Sequence, residues 1–181
     1  MESKRTKLEF VRENKSDPRL GNPDLMGAHM KILDGRMYIQ QVRKMITVYT
    51  NSLGRDLAFQ NISEELADPE SKYCPPAGEL LVAAEEDECL GMVAYHSHSA
   101  ERCEMKRLFV YPEYRGQGIG EQLISEIIDH ASNSGYTEMV LDTLRPLKTA
   151  IALYRKYGFA ECEAYYHNPF PDVIYMKKLL R

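Results

Sequence analysis

The six residues Arg115-Gly116-Gln117-Gly118-Ile119-Gly120 carry the most distinctive chemistry in this 181-residue chain. Glycines without Cβ atoms let the backbone turn sharply and approach a ligand closely. An apolar helical pattern begins at Ile119, so the unpaired N–H groups of that helix's first turn point outward, where the dipole favours negative charge. The stretch reads as a pyrophosphate cradle, with a pure packing role for the glycines as the alternative. It is not a Walker loop, because Gly120 is followed by Glu121-Gln122 and not by Lys-Ser/Thr. The glycine spacing also misses the dinucleotide fingerprint, although Asp142 nearly matches that motif's acidic residue. Three other groups invite a chemical role. Glu104 is a candidate base, Cys103 a candidate nucleophile, and His96 with His98 share one strand face. Cys103 reads better as a small buried hydrophobe, and the two histidines have no recognisable third ligand, so no metal site is expected.

The elements that must position these residues follow from hydrophobic period. Met30 to Leu33 is a short strand. Ile39, Val42, Ile46 and Tyr49 mark a helix that Gly54 ends, and Asn61 to Ala67 is a short second helix. Gly78 to Ala84 and Leu90 to His96 form a hairpin across the acidic turn Glu85–Glu88, and Cys103 to Val110 extends the meander until Pro112. Ile119, Leu123, Ile124, Ile127, Ile128 and Ala131 give one wide apolar helical stripe, capped near Gly135. A strand (Glu138 to Leu141), a helix (Leu147 to Tyr157), a strand (Phe159 to Ala164) and a last strand (Val173 to Lys177) complete the order. This predicts an α/β fold: a mixed, mostly antiparallel central sheet of about seven strands with about four flanking helices and one parallel crossover.

In that context the glycine turn resembles the Q/R-x-x-G-x-G/A turn by which GCN5-related N-acetyltransferases (GNAT) hold acetyl-CoA. Lys106-Arg107-Leu108-Phe109-Val110-Tyr111-Pro112 looks like that family's central strand, and Leu153-Tyr154-Arg155-Lys156-Tyr157-Gly158-Phe159 looks like its L-Y-x-x-x-G-F signature. The three motifs stand in family order. The resemblance implies the acetyl-CoA N-acyltransferase fold and transfer of acetyl from acetyl-CoA to a primary amine by direct attack in a ternary complex. It further implies a splayed pair of central strands, with Leu108, Phe109 and Val110 beside the cofactor and the Val110 N–H polarising the acetyl carbonyl. Arg115, Gly116, Gln117, Gly118, Ile119, Gly120 and Glu121 would hold the pyrophosphate.

Tyr154 stands where the family often places a general acid; a phenol with pKa near ~10 is protonated at neutral pH and can donate to a departing thiolate. Its other reading is a core aromatic. Glu104 would be the base, on the same strand face as Val110 unless a bulge intervenes, with a carboxyl pKa raised by burial. It could instead pair with Lys106 or Arg102. Tyr166 and Asn168, in the aromatic loop before the last strand, would shape acceptor recognition. Arg155 and Lys156 could neutralise a CoA phosphate or be solvated. One departure stands out: many family members carry an Asn where this chain has Leu147, so a pantetheine contact is lost or replaced. A non-catalytic CoA-binding or interaction module on the same fold is the alternative function.

Composition bounds the partners. Lys plus Arg number 23 against 27 Asp plus Glu, a net charge of −4, which disfavours nucleic acid. Between Arg102 and Arg115, however, four cations face two acids, a local surplus suited to a small anionic cofactor. The longest apolar run, Leu80 to Ala84, is far too short for a membrane span. Four cysteines without a C-x-x-C pair suit reduced thiols and a cytoplasmic protein. Residues 1–27, rich in Lys, Arg, Pro and Gly, read as a mobile or loosely docked N-terminal extension to a single domain at 28–181. Oligomeric state is not legible, which leaves a homodimer open.

Overall fold

The computed structural model describes residues 30–181, so the extension expected at 1–27 lies outside the described residues. The chain forms β1 (Lys31–Asp34), α1 (Ile39–Ser52), α2 (Ile62–Ala67), α3 (Pro69–Tyr73), β2 (Gly78–Glu85), β3 (Glu88–Ser97) and β4 (Arg102–Val110). It continues with α4 (Ile119–Asn133), β5 (Glu138–Leu144), α5 (Lys148–Lys156), β6 (Ala160–Cys162) and β7 (Val173–Leu179). The seven strands make one sheet in the order β1-β2-β3-β4-β5-β7-β6. Every pairing is antiparallel except β4 with β5, which is the expected parallel crossover.

Helices cover both faces of the sheet, which is why β2 and β3 are near-continuous apolar runs and not alternating ones. On one face Leu123, Ile124 and Ile127 of α4, with Ile151 and Tyr154 of α5, pack against Leu81, Val93, Met105 and Met139. On the other, Val42, Met45 and Ile46 of α1 and Tyr73 of α3 cover Leu80, Val82, Met92 and Phe109. Each such side chain, fully buried, contributes about 1.5–3 kcal/mol.

Several expected boundaries shift for local reasons. A separate α3 follows α2, because Asp68 turns extended and its side chain accepts from the Ser71 N–H with Pro69 at the first helical position. The strand expected to stop at Leu141 continues to Leu144, since Asp142, Thr143 and Leu144 pair with Tyr175, Ile174 and Val173 of β7. The strand expected over 159–164 shrinks to the three residues of β6 at the sheet edge.

Two irregularities in β4 position the site. Between the pairs Met92↔Phe109 and Ala94↔Lys106, β4 carries one residue more than β3. Arg107 occupies this bulge with φ of 60°, a left-handed conformation that costs a non-glycine residue about 1–2 kcal/mol. The extra residue inverts the alternation, so that Cys103 and Met105, but also Leu108 and Val110, pack on the α4 face. Glu104 and Val110 therefore lie on opposite faces, and the shared face expected for an uninterrupted strand is not present. The second irregularity is that β4 and β5 pair only through Arg102–Glu104 and Glu138–Val140. Beyond that they diverge, although β4 runs on to Val110 and β5 to Leu144.

Candidate active site

The divergence of β4 and β5 opens a cleft of about 970 Å³. Its walls include Leu108, Phe109 and Val110 of β4, Arg115, Gly116, Gly118, Ile119, Gly120 and Glu121 around the start of α4, Tyr154 of α5, and Asn168 of the β6–β7 loop. Sequence reasoning had singled out all of these. Gln117, Glu104 and Tyr166 do not line it.

Strand geometry orients the carbonyl-binding group. The Tyr111 N–H donates to Leu90 O of β3 at 3.0 Å, so alternation turns the backbone polar groups of Val110 the other way, toward the gap. The Val110 carbonyl there accepts from Arg115 Nε at 3.0 Å, which fastens the glycine turn to the strand end. With its N–H on the gap side, Val110 has the orientation needed to polarise a carbonyl in the cleft.

The glycine turn has the form of an anion cradle. Gly116 and Gly118 adopt φ of 78° and 79°, and a Cβ at either would meet no protein atom within 4 Å. The open space faces the α4 N-terminus, where a pyrophosphate's oxygens would meet first-turn N–H groups. Gly118→Ala is accordingly expected to lower stability by only about 1 kcal/mol while weakening acetyl-CoA binding at least roughly tenfold, because the backbone can no longer be approached as closely. Isothermal titration with acetyl-CoA checks this; an unchanged affinity would return the glycines to a packing role. Glu121 ion-pairs with Lys156 at 2.6 Å, and Arg155 with Glu161 at 2.7 Å. Of the two cations, only Lys156 reaches the cleft wall. Leu147 also lines the cleft, presenting a purely apolar surface where the family motif has an amide.

At the floor of the cleft, Tyr154 is 8% exposed and stacks edge-on with Phe159 at 6.0 Å. Burial pushes its phenol well above the usual range, so it stays protonated at neutral pH.

A chain of polar side chains bridges the two strands where their pairing stops. Lys106 Nζ donates to Asp142 Oδ1 at 2.6 Å and contacts Glu104 Oε1 at 2.7 Å. Tyr165 OH donates to Glu104 Oε1 at 2.7 Å, and His96 Nε2 lies 2.8 Å from Glu104 Oε2. Asn168 Nδ2 reaches Asp142 Oδ2 at 3.2 Å and the Tyr166 hydroxyl at 3.0 Å. Tyr166 thus stands behind Asn168 and not on the cleft wall. Burial alone would raise the Glu104 carboxyl. The hydrogen bond with His96 and the Lys106 ammonium outweigh it and hold the group well below the usual carboxylate range. The upward shift expected of a base at Glu104 is therefore reversed. Cys103 is fully buried and its thiol is pushed up to about 12 by burial, which leaves it inert as a nucleophile. Among the described residues no group of three or more His, Cys, Asp or Glu could hold a metal ion.

Sequence reasoning named the Glu104–Lys106 pair, which is present, but missed that Lys106 also reaches Asp142, the place of Tyr165, and the pairing of Arg107 with Glu65 across 42 residues. One signal was present for Asp142. It is a lone acid directly after the apolar Met139-Val140-Leu141, inside what the structure makes a buried strand.

Two strands pried apart, with an open glycine turn at a helix start and a buried, protonated phenol beside the gap, are the arrangement expected of a transferase that uses an acyl-CoA. The family model described as "Acetyltransferase (GNAT) family" matches residues 46–159, and the chain belongs to that family. An uncharacterized N-acetyltransferase of Schizosaccharomyces pombe is 46% identical over 141 residues, covering 77% of this chain and 86% of that protein. A GNAT acetyltransferase of Staphylococcus aureus Mu50 has the same fold, with TM-score 0.71 and 20% identity over 84% of this chain and 100% of its own. So does yncA of Salmonella typhimurium, solved with its cofactor acetyl-CoA (TM-score 0.66, 19% identity, 85% of this chain and 95% of its own). The protein is an acetyl-CoA-dependent N-acetyltransferase.

Proposed function

We propose that acetyl-CoA binds along the β4–β5 cleft, with its pyrophosphate on the turn from Arg115 to Glu121, and that a primary amine attacks it directly in a ternary complex. The observation that carries this reading is the coincidence, in one cleft, of the gap-facing Val110 backbone, the Gly116–Gly118 cradle and Tyr154. The bound cosubstrate supplies a thioester carbonyl open to nucleophilic attack. The Val110 N–H polarises that carbonyl. Asp142, which lines the cleft beside Lys106 and Asn168, takes the first proton of the arriving ammonium, directly or through one water, and passes it to solvent. The amine nitrogen bonds to the carbonyl carbon, and the carbon–sulfur bond breaks with its electron pair on sulfur. Tyr154 protonates that sulfur and regains a proton from the nitrogen, so the phenol is restored each cycle.

Glu104 takes a supporting part here: enclosed by His96, Lys106 and Tyr165, it holds Lys106 against Asp142. Asp142→Asn is expected to lower kcat roughly 10- to 100-fold at unchanged acetyl-CoA affinity. An undiminished kcat, measured as CoA thiol release under saturating substrates, would move the proton acceptor elsewhere. All four cysteines are free, which supports a reducing, cytoplasmic setting; no described helix is long and apolar enough to cross a membrane.

A further inference from the structure

The cleft extends past the acetyl-transfer position toward the segment after α1, and its lining there changes character. Leu53, Leu57 and Phe170 form apolar walls, and Tyr49 and Gln60 stand beside them. Two loops distant in sequence are joined at this end. Arg55 in the α1–α2 connection donates to both carboxylate oxygens of Asp172 in the β6–β7 loop, at 2.7 and 2.6 Å. Phe170 lies under the same guanidinium, 4.9 Å from its carbon, and its ring meets Phe59 edge-on at 5.4 Å. The latch holds Phe170 in place as a wall of the acceptor end.

Charge accounting restricts what fits. The charged side chains lining this end are Lys106, Arg107 and Asp142. Arg107 is neutralised by Glu65, bound through Nε at 2.5 Å and a terminal nitrogen at 2.8 Å. Lys106 lies between Asp142 and Glu104. Asp142 is the carboxylate on the wall at this end, and it shares Lys106 with Glu104, so the wall offers one anionic partner, suited to one ammonium. A second ammonium on the acceptor would have to be buried against leucine and phenylalanine, and an acceptor carboxylate would meet only cations already paired. Burying an uncompensated charge is strongly unfavourable.

We propose that the acceptor is a small monoamine bearing one apolar, aryl-sized substituent and no second charge, its ammonium at Asp142 and its substituent between Leu53, Leu57 and Phe170. This rests on the transferase reading above and adds the substrate class. Phe170 is then a specificity-determining residue, although it lies outside the three family motifs.

The test uses the full chain with acetyl-CoA and four acceptors: 2-phenylethylamine, spermidine, glycine and a tetrapeptide with a free amino terminus. The expected kcat/KM for 2-phenylethylamine is at least about tenfold above each of the others, since transfer of an aryl group from water to an apolar site is worth more than that factor. Phe170→Ala is expected to raise the KM for 2-phenylethylamine about tenfold while leaving the acetyl-CoA Kd unchanged. Higher efficiency with spermidine, glycine or the peptide overturns the proposal while leaving amine acetylation intact. So does an unchanged KM in the Phe170 variant. Acetyl-CoA binding without thiol release for any of the four amines would overturn the proposal and the transfer mechanism together.

Discussion

Tyr154→Phe is expected to lower kcat by about 10²- to 10⁴-fold, the range over which a positioned general acid contributes. The acetyl-CoA Kd should stay within about twofold of wild type. The substitution removes a single oxygen and leaves the ring, which packs in the α4–α5 core and against Phe159. Folding should therefore be little affected. The direction of the pKa shift supports the role: burial raises the phenol, and the Asp142 carboxylate pushes the same way, with Lys106 opposing. A phenol kept protonated is available to a leaving thiolate at every physiological pH. A raised pKa also lowers its acidity, so the donation depends on close approach to sulfur and not on driving force. Single-turnover thiol release, measured at saturating acetyl-CoA and amine, is the decisive readout. Turnover within threefold of wild type would remove Tyr154 from proton transfer and leave it as core packing alone.

The largest expected stability effect lies on the other side of β4. Glu65 of α2 is 3% exposed and holds Arg107 at the bulge through two hydrogen bonds, with Lys72 at 2.8 Å from its second oxygen. Burial alone would raise this carboxyl. The hydrogen bonds and charge of Arg107, with Lys72 adding to them, bring it from 4.5 down to about 2. A folded-state pKa below the unfolded one means the contribution is fully present above about pH 4.5 and is lost as the pH falls toward about 2. Glu65→Gln should cost about 3–5 kcal/mol at pH 7, because it leaves the Arg107 guanidinium buried without a counter-charge. For a chain of this size that is a fall in Tm of about 6–20 °C. The variant should also show a shallower loss of stability between pH 4.5 and 2 than wild type. Denaturant unfolding at pH 7 and pH 3 separates the outcomes. A loss below about 1 kcal/mol at pH 7 would mean that the ion pair only offsets its own desolvation. The consequence reaches the site, since Arg107 is the residue whose left-handed backbone inverts the face of Leu108 and Val110. Weakening its anchor should lower kcat as well as Tm.

Much of this protein was written locally. The α4 stripe from Ile119 to Ala131, the hairpin across Glu85–Glu88 and the glycine turn each depend on residues a few positions apart, and all three stand where the spacing puts them. The motifs around Val110, Gly118 and Tyr154 named the family and the cosubstrate for the same reason. What failed were inferences that needed a distant partner. Lys106 stands two residues from Glu104 and its pairing was legible, but nothing nearby announces that His96 and Tyr165 join it, or that the carboxyl shifts downward and not upward. Nothing near Arg107 announces Glu65, although their pairing accompanies the bulge that separates Glu104 from Val110.

The sequence by itself determined the fold class, the family and the stretches proposed to meet the cosubstrate, because each is encoded in short periodic or turn-forming segments. Only the tertiary structure decided that Asp142 and not Glu104 lines the cleft, and that the α1–α2 and β6–β7 loops are latched together. The physical reason is electrostatic. Whether a carboxylate titrates upward or downward, and whether a cation is spent or available, depends on groups brought within 3 Å from 8 to 117 residues away.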